Sequence, residues 1–178
     1  MSLSLDGAAG VSGVNGTASS PAIKGTTANT GLFFGTNTAA ISTAGNERLS
    51  VAADGNVVAS GKLGIGSTPT TDLDVNGSVA SNAVAMSGTD IDCAVGNYFT
   101  KVVNQNVTFA FTNVPASRAF TVALEVTHTS GTLTWPAAIK WPADTPPTLT
   151  AGKTHLFVFV TDDGGSRWRG VAIVDYVN

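Results

Sequence analysis

The chain has 178 residues, of which 43% are hydrophobic and only 12% charged, and its formal net charge is −3. This balance argues against nucleic acid as a partner, because binding to phosphates needs clustered Lys and Arg. The single cysteine, Cys93, excludes an intrachain disulfide framework. No apolar run approaches the length of a membrane span, and the N-terminus lacks the basic start and apolar stretch of a signal peptide. We therefore expect no membrane insertion and assembly in a cytoplasm.

The N-terminal half is poor in large apolar side chains. Of the thirteen aromatic residues, eleven follow residue 96, and the first half contains only Phe33 and Phe34. A segment rich in Gly, Ala, Ser, Thr and Asn buries too little apolar surface to fold well alone. We expect it to pack against identical neighbours, the simplest partners available.

Two units in this half share one pattern. Residues 49–51 lead to 54–57, and residues 73–75 lead to 76–79. Each unit is an alternating strand, a turn whose Gly tolerates a positive φ, and a second β-branched start. Units this small cannot cover their own apolar faces, so stacking between chains is expected. The predicted trimer interface consists of Leu49, Val51, Leu63, Ile65, Leu73 and Val75.

The second half predicts about six strands joined by short turns. Segment 79–86 is predicted to be an extended connection, with a single helical turn as the alternative. Segment 155–161 is apolar on both faces, which suits a central strand. Together the strands predict a compact antiparallel β-sandwich, with strands at 98–103, 107–111, 120–127, 132–135, 155–161 and 168–176.

The polar motifs favour turns over chemistry. Segment 61–68 is superficially similar to a phosphate loop, but Lys62 precedes the glycines, and Pro69 follows where a helix would have to begin. Asp162 and Asp163 precede two glycines, as in a hairpin turn.

The remaining candidates also lack the pattern of a catalytic or metal site. The carboxylate pairs at 72/74 and 90/92 alternate with apolar residues, which places them on strand surfaces. His128 and His155 supply too few ligands for a zinc site. No catalytic residue, metal ligand or cofactor is predicted, and Cys93 is expected to be a small buried residue.

An ordered series of phrases in the first half resembles the repeats of tailed-bacteriophage fibres and other exterior virion proteins. The resemblance covers about a third of the chain, and it depends on the order of the phrases. They are Ser20–Lys24, Thr30–Phe34, Ala40–Leu49, Asp54–Val57, Leu63–Pro69 and Leu73–Val79.

The second half resembles a C-terminal head module of phage structural proteins. The matching residues are Thr134-Trp135-Pro136, Ile139-Lys140-Trp141-Pro142, Pro147–Thr150 and Asp162–Gly165 followed by Trp168. Each Trp-Pro pair keeps its Trp extended, and the six-residue spacing lets both indoles cap one end of a sandwich. Trp135, Trp141 and Trp168 therefore have two interpretations, as packing that closes the sandwich or as a surface that binds a host receptor or glycan. Packing is favoured, because aromatic side chains are mostly buried.

The resemblance implies an all-β protein with an intertwined trimeric β-repeat base and a C-terminal antiparallel, jelly-roll-like β-sandwich. The expected divisions are an extended arm at 1–19, the repeats at 20–85, a linker at 86–97 and the head at 98–178. The arm is expected to attach to the virion through Leu3, Leu5, Val11 and Val14.

The implied function is a non-enzymatic homotrimer on the virion exterior. Long tail fibres generally carry a sizeable docking domain, whereas only about twenty residues precede the first fibre-like phrase. A capsid decoration (cement or head-fibre) protein that binds the major capsid protein is therefore the leading expectation. A short tail fibre or receptor-binding tip attached to tail proteins is the alternative. A carbohydrate-binding module that uses the Trp surface on a host glycan is the second alternative.

Overall fold

The structure, a computed structural model, describes residues 4–6, 10–12 and 15–177, with side chains from residue 15 onward. The protein is all-β, as predicted, with 49% of residues in strands. Within the described residues the one helical element is a short 3-10 turn, Pro142–Asp144. The chain divides into two compact units, Met1–Val79 and Ala80–Asn178.

The N-terminal unit contains eleven strands in the part of it that is described. They are β1 (Ser4–Asp6), β2 (Gly10–Ser12), β3 (Gly16–Thr17), β4 (Ser20–Pro21), β5 (Ile23–Lys24), β6 (Gly31–Gly35), β7 (Thr38–Thr43), β8 (Asn46–Val51), β9 (Val57–Ala59), β10 (Leu63–Ile65) and β11 (Leu73–Val75).

Five of these eleven strands form an antiparallel meander. Strands β5 to β9 lie in sequence order in one five-stranded sheet, while β1–β2 and β3–β4 are separate antiparallel pairs. The turn before β9 contains Gly55 at a φ of 83°, so the predicted hairpin at 49–57 is confirmed.

The second predicted hairpin is wrong. Strand β11 pairs in parallel with β10, and no strand follows Gly77 before β12 at Ala83. Parallel strands usually need a long crossover, but here only the loop 66–72 connects them. The Asp74 carboxylate holds this loop, because it accepts hydrogen bonds from the Thr70 backbone N–H at 2.9 Å and the Thr70 hydroxyl at 2.8 Å.

The C-terminal unit contains the remaining strands. They are β12 (Ala83–Ala85), β13 (Asp90–Asp92), β14 (Tyr98–Val103), β15 (Val107–Thr108), β16 (Ala110–Thr112), β17 (Phe120–His128), β18 (Leu133–Thr134), β19 (Ile139–Lys140), β20 (Lys153–Thr161) and β21 (Trp168–Tyr176). The six predicted segments all contain strands, and the segment before residue 86 is extended as predicted.

One six-stranded sheet organises this unit, in the order β12-β14-β17-β20-β21-β19. Strand β20 is central, as its apolar sequence predicted, and it pairs antiparallel with both neighbours. The predicted purely antiparallel arrangement is wrong, because β14 runs parallel to β12 and to β17. Segment 104–119 separates β14 from β17 and contains β15 and β16, so the chain returns to the sheet in the same direction.

The core lies against one face of this sheet. Its largest fully buried side chains include Phe99, Phe109, Phe157, Phe159 and Trp168. The expected linker 86–97 contributes to this core, since Ile91 is fully buried and Cys93 is 6% exposed. The division between units therefore falls at 79/80, earlier than the sequence predicted.

The turn between β20 and β21 forms as predicted around Asp163. Its carboxylate accepts hydrogen bonds from the Thr161 hydroxyl and the Arg167 backbone N–H, both at 3.0 Å. The hydrogen bond from Arg167 is the main cause of a lowered pKa for Asp163. Gly164 and Gly165 both have positive φ values, which allow the tight reversal.

Gly131 and Gly152 provide a matched test of how closely the backbone packs in this unit. Both have positive φ, at 91° and 79°, but a Cβ at Gly131 would overlap the backbone carbonyl of Gln105, whereas Gly152 faces open space. Gly152→Ala should therefore cost about 1–2 kcal/mol from backbone conformation alone. Gly131→Ala should cost roughly 3 kcal/mol or more, because the overlap adds to that strain. Urea unfolding at one protein concentration would measure both, and equal losses would contradict the close packing.

Candidate interaction surface

The five-stranded sheet of the N-terminal unit has its large apolar residues on the exposed side. Cross-strand pairing places them in two rows that cross the sheet. One row is Ile23, Leu32, Ile41, Leu49 and Ala59, and the other is Phe34, Ala39, Val51 and Val57. We call these nine residues the outer face. Its seven large side chains are between 37% and 64% exposed.

The opposite face of the same sheet carries the small residues Ala40, Ser42 and Ser50, and the row through Ala40 and Ser50 also includes Phe33 and Val58. Ala40, Ser42 and Ser50 are 3%, 0% and 9% exposed, and the Ser42 hydroxyl donates to the carbonyl oxygen of Gly31 at 3.5 Å. A sheet with one wet face normally turns its large apolar residues inward and its polar residues outward. Here most of the large apolar residues lie on the exposed face instead, and of the two on the other face Phe33 is half-buried and Val58 is 51% exposed.

Strands β10 and β11 repeat this arrangement. Leu63 pairs with Leu73 and Ile65 with Val75, so these four side chains share one face. Leu63, Ile65 and Leu73 are 45%, 52% and 61% exposed. The opposite face carries Gly64 and the carboxylate of Asp74, whose pKa is lowered chiefly by the hydrogen bond from the Thr70 backbone. The Asp74 carboxylate, which binds the loop at Thr70, therefore lies on the side of β11 opposite the apolar face.

The six predicted interface residues fall on these two surfaces. Leu49 and Val51 belong to the outer face, and the other four form the apolar face of β10–β11. The outer face is larger than predicted, because five of its large residues were not identified from the sequence. The sequence signal for these residues was the alternation of large apolar residues with Gly, Ala and Ser. Such alternation normally indicates that the large residues point into the core of the unit. The five are Ile23, Leu32, Phe34, Ile41 and Val57.

The predicted attachment residues are only partly described. Leu5 and Val11 are directly paired in the β1–β2 hairpin. Leu3 and Val14 lie outside the described residues. Attachment through these four residues stays a prediction.

The three tryptophans are divided between the core and a cleft. Trp168 is 1% exposed and stacks on Phe111 with 4.1 Å between ring centroids. The predicted receptor surface therefore cannot include Trp168, because its ring is buried within the unit. Trp135 is half-buried and contacts Trp141 edge-on at 5.6 Å, so these two indoles do pack together at the predicted spacing.

A cleft of about 540 Å³ lies beside these two indoles. Its lining includes His128, Trp135, Trp141, Asp144, Pro147 and Leu149. His128 is 7% exposed; its Nε2 donates to the Gly131 carbonyl at 2.9 Å, and its Nδ1 is buried without a hydrogen-bond partner. Ala143 and Asp144 both have positive φ, a strained conformation for residues with a Cβ. The lining combines apolar side chains and polar groups in similar measure, which suits a small ligand that has both kinds of surface.

The other polar candidates serve the fold. Asp92 has a lowered pKa, chiefly because the Asn113 side chain donates a hydrogen bond to its carboxylate. A glycosidase acid needs a raised pKa, opposite to the shifts of Asp74, Asp92 and Asp163. Among the described residues, no group of three or more His, Cys, Asp or Glu side chains could hold a metal ion.

Comparison with known proteins finds no family model, no curated protein and no solved structure that matches this chain. In the part of the chain that the structure describes, no helix has the length and hydropathy needed to cross a bilayer.

Cys93 gives a prediction for pH dependence. Burial, assisted by the neighbouring Asp92 carboxylate, raises the pKa of its thiol from 9.0 to about 11. Between these two pH values the unfolded chain loses the thiol proton while the folded chain keeps it, so the free energy of unfolding should fall as pH rises.

Urea unfolding of the native protein and of Cys93→Ala from pH 8 to pH 11 would isolate this effect from other titrating groups. The native protein should lose stability relative to the variant above about pH 9. Parallel curves would show that the Cys93 thiol is not shielded as the structure places it.

Proposed function

We propose that the chain is a non-enzymatic structural protein of the bacteriophage exterior, which works as a homotrimer and decorates the capsid. The observation that carries this proposal is the arrangement of the N-terminal sheet, in which seven large apolar side chains lie on the exposed outer face and the buried positions of the opposite face hold Ala and Ser. The ordered fibre-like phrases supply the phage context and the number of chains.

The energetic argument favours a permanent partner for the outer face. Complete burial of a Val, Leu, Ile or Phe side chain is worth about 1.5–3 kcal/mol. The seven large, half-exposed side chains of the outer face therefore represent on the order of 5 kcal/mol of burial that one chain does not achieve. That amount is comparable with the total stability of an ordinary domain. A single chain in water would lack this contribution, whereas an assembled one would gain it.

A second copy of the chain is the partner that suits this surface best. The outer face carries no charged side chain in either row, so it offers no charge pattern that would select a different protein. Identical apolar faces are complementary in chemistry to one another, and most soluble oligomers are symmetric assemblies of one chain. The N-terminal arm would then remain free to contact the major capsid protein.

A second candidate function, ligand binding by the head, is favoured by the cleft beside Trp135 and Trp141. A half-buried indole offers a surface for the apolar face of a sugar ring, and Asp144 supplies a hydrogen-bond acceptor at the same cleft. On this alternative the protein is a short tail fibre or receptor-binding tip, or a carbohydrate-binding module, and the cleft contacts a host glycan. The buried position of Trp168 reduces the aromatic surface available for that role.

A charge placed on the β10–β11 apolar face should weaken the assembly. The intact protein is expected to have three times the 17.9 kDa mass of one chain in light scattering. Leu73→Asp should raise the dissociation constant at least tenfold, since it removes about 1.5–3 kcal/mol of burial and adds a buried charge.

Ser78→Asp is the matched control, because it adds the same charge at an exposed position outside β11. It should leave the mass unchanged. A monomeric native protein at micromolar concentration would rule out the homotrimer. Normal assembly of Leu73→Asp would show that the β10–β11 apolar face is not part of the interface between chains.

The location on the particle can be tested directly. Immunogold electron microscopy of purified phage, with antibody against the C-terminal unit, should place gold over the head. Gold confined to the tail would replace the decoration role with an adsorption fibre. Absence of gold from intact particles, with the protein present in the lysate, would exclude a virion component.

A further inference from the structure

The six-stranded sheet of the C-terminal unit also has an apolar face that no layer of the unit covers. We define the head face as Ala123 on β17, Leu156, Val158 and Val160 on β20, and Val171 and Ile173 on β21. Pairing places them side by side, since Ala123, Val158 and Val171 form one row across three strands. Ile173 lies opposite Leu156 in the next row.

The head face is the opposite side of the sheet from the core. Leu124, Phe157 and Ala172 form an inner row in which the first two residues are fully buried. On the head face, Val160, Val171 and Ile173 are 37%, 50% and 55% exposed. Along β20, Phe157 and Phe159 therefore face the core, and Leu156, Val158 and Val160 lie on the head face. Apolar residues on both sides of a strand are expected when both faces of a sheet are covered.

Polar groups border the head face without interrupting it. Glu125, next to Leu156, accepts a hydrogen bond from the Tyr98 hydroxyl at 2.9 Å, which satisfies part of its carboxylate. Arg169, opposite Val160, lies 3.4 Å from Asp162 at the end of the strands. A dry contact centred on β20 and β21 would therefore leave these charges at its rim.

We propose that a neighbouring copy of this chain covers the head face in the assembled protein. The inference rests on the proposed homotrimer, in which the N-terminal units hold the heads of adjacent chains together. Association of the chains through their N-terminal units raises the effective concentration of one C-terminal unit near another. A modest apolar contact then becomes stable even though the heads alone would not associate strongly.

The size and chemistry of the head face fit this occupant. Its exposed aliphatic surface is on the order of several hundred Å², which approaches the largest apolar patches found on monomers but falls short of the roughly 800 Å² per partner of a stable separate interface. A surface of that size is too small for an independent tight complex, yet adequate as one part of a larger contact between tethered copies.

Thiol labelling of single-cysteine variants would test the occupant. The native Cys93 is buried, with a pKa raised to about 11, so it should react slowly with maleimide at neutral pH and leave the introduced thiol visible. Ile173→Cys probes the head face, and Thr108→Cys, an exposed strand position on β15, is the control. In the assembled protein, Ile173→Cys should react at least tenfold more slowly than Thr108→Cys, and in urea the two rates should become equal.

The same labelling in a monomeric variant shows whether the head face is covered by a neighbouring copy or by the chain's own N-terminal unit. In Leu73→Asp chains that light scattering shows to be monomeric, Ile173→Cys should become as reactive as Thr108→Cys. Continued protection there would overturn the proposal, because the cover would come from the same chain.

The mass of the sample separates the two proposals. Fast labelling of Ile173→Cys in a sample whose mass is that of three chains would overturn the covered head face and leave the homotrimer standing. A native mass of one chain would overturn both.

Discussion

Side chains alternate between the two faces of a β-strand, and the exposed apolar faces of this protein depend on that constraint. A sheet that is covered by other residues on one face only needs large apolar side chains on that face alone. In both units of this chain, however, the sheet has apolar residues on the face that its own unit leaves exposed. The outer face of β5–β9 and the head face of β17, β20 and β21 are separate instances of this excess.

The two units bury different kinds of side chain in their interiors. The C-terminal unit has a conventional core in which Phe157, Phe159 and Trp168 are almost completely buried. The N-terminal unit buries Ala40, Ser42 and Ser50, whose side chains contribute little transfer free energy. Association would therefore matter most for the N-terminal unit, where seven large apolar side chains lie on the exposed outer face.

The sequence predicts the elements better than it predicts their pairing. Strict alternation locates β17 closely, and the continuous apolar run at 155–161 locates β20. Pairing direction depends on where the chain crosses the sheet, and nothing local distinguishes the parallel β14–β17 pair from an antiparallel hairpin. The buried position of Ile91 was missed for a related reason, since one three-residue strand in a polar segment has the pattern of a linker.

The candidate surface was predictable in kind but not in extent. The repeated Leu-x-Val pattern identified Leu49, Val51, Leu73 and Val75 as residues on one face of short strands. The row that connects Ile23, Leu32 and Ile41 to Leu49 arises only when three turns bring four strands into register. The cleft beside Trp135 likewise requires the strained turn at residues 143–144, which no sequence motif indicates.

The close packing within the N-terminal unit has a consequence for how such a sequence can change over time. A Cβ at Gly31 would overlap the backbone carbonyl of Ile23, and one at Gly64 would overlap that of Ser67. Interior positions of this unit therefore reject bulk, whereas the outer face would accept exchanges among Leu, Ile, Val and Phe. Sequence drift should thus keep the glycines, alanines and serines and vary the large residues, the reverse of the usual pattern in globular cores.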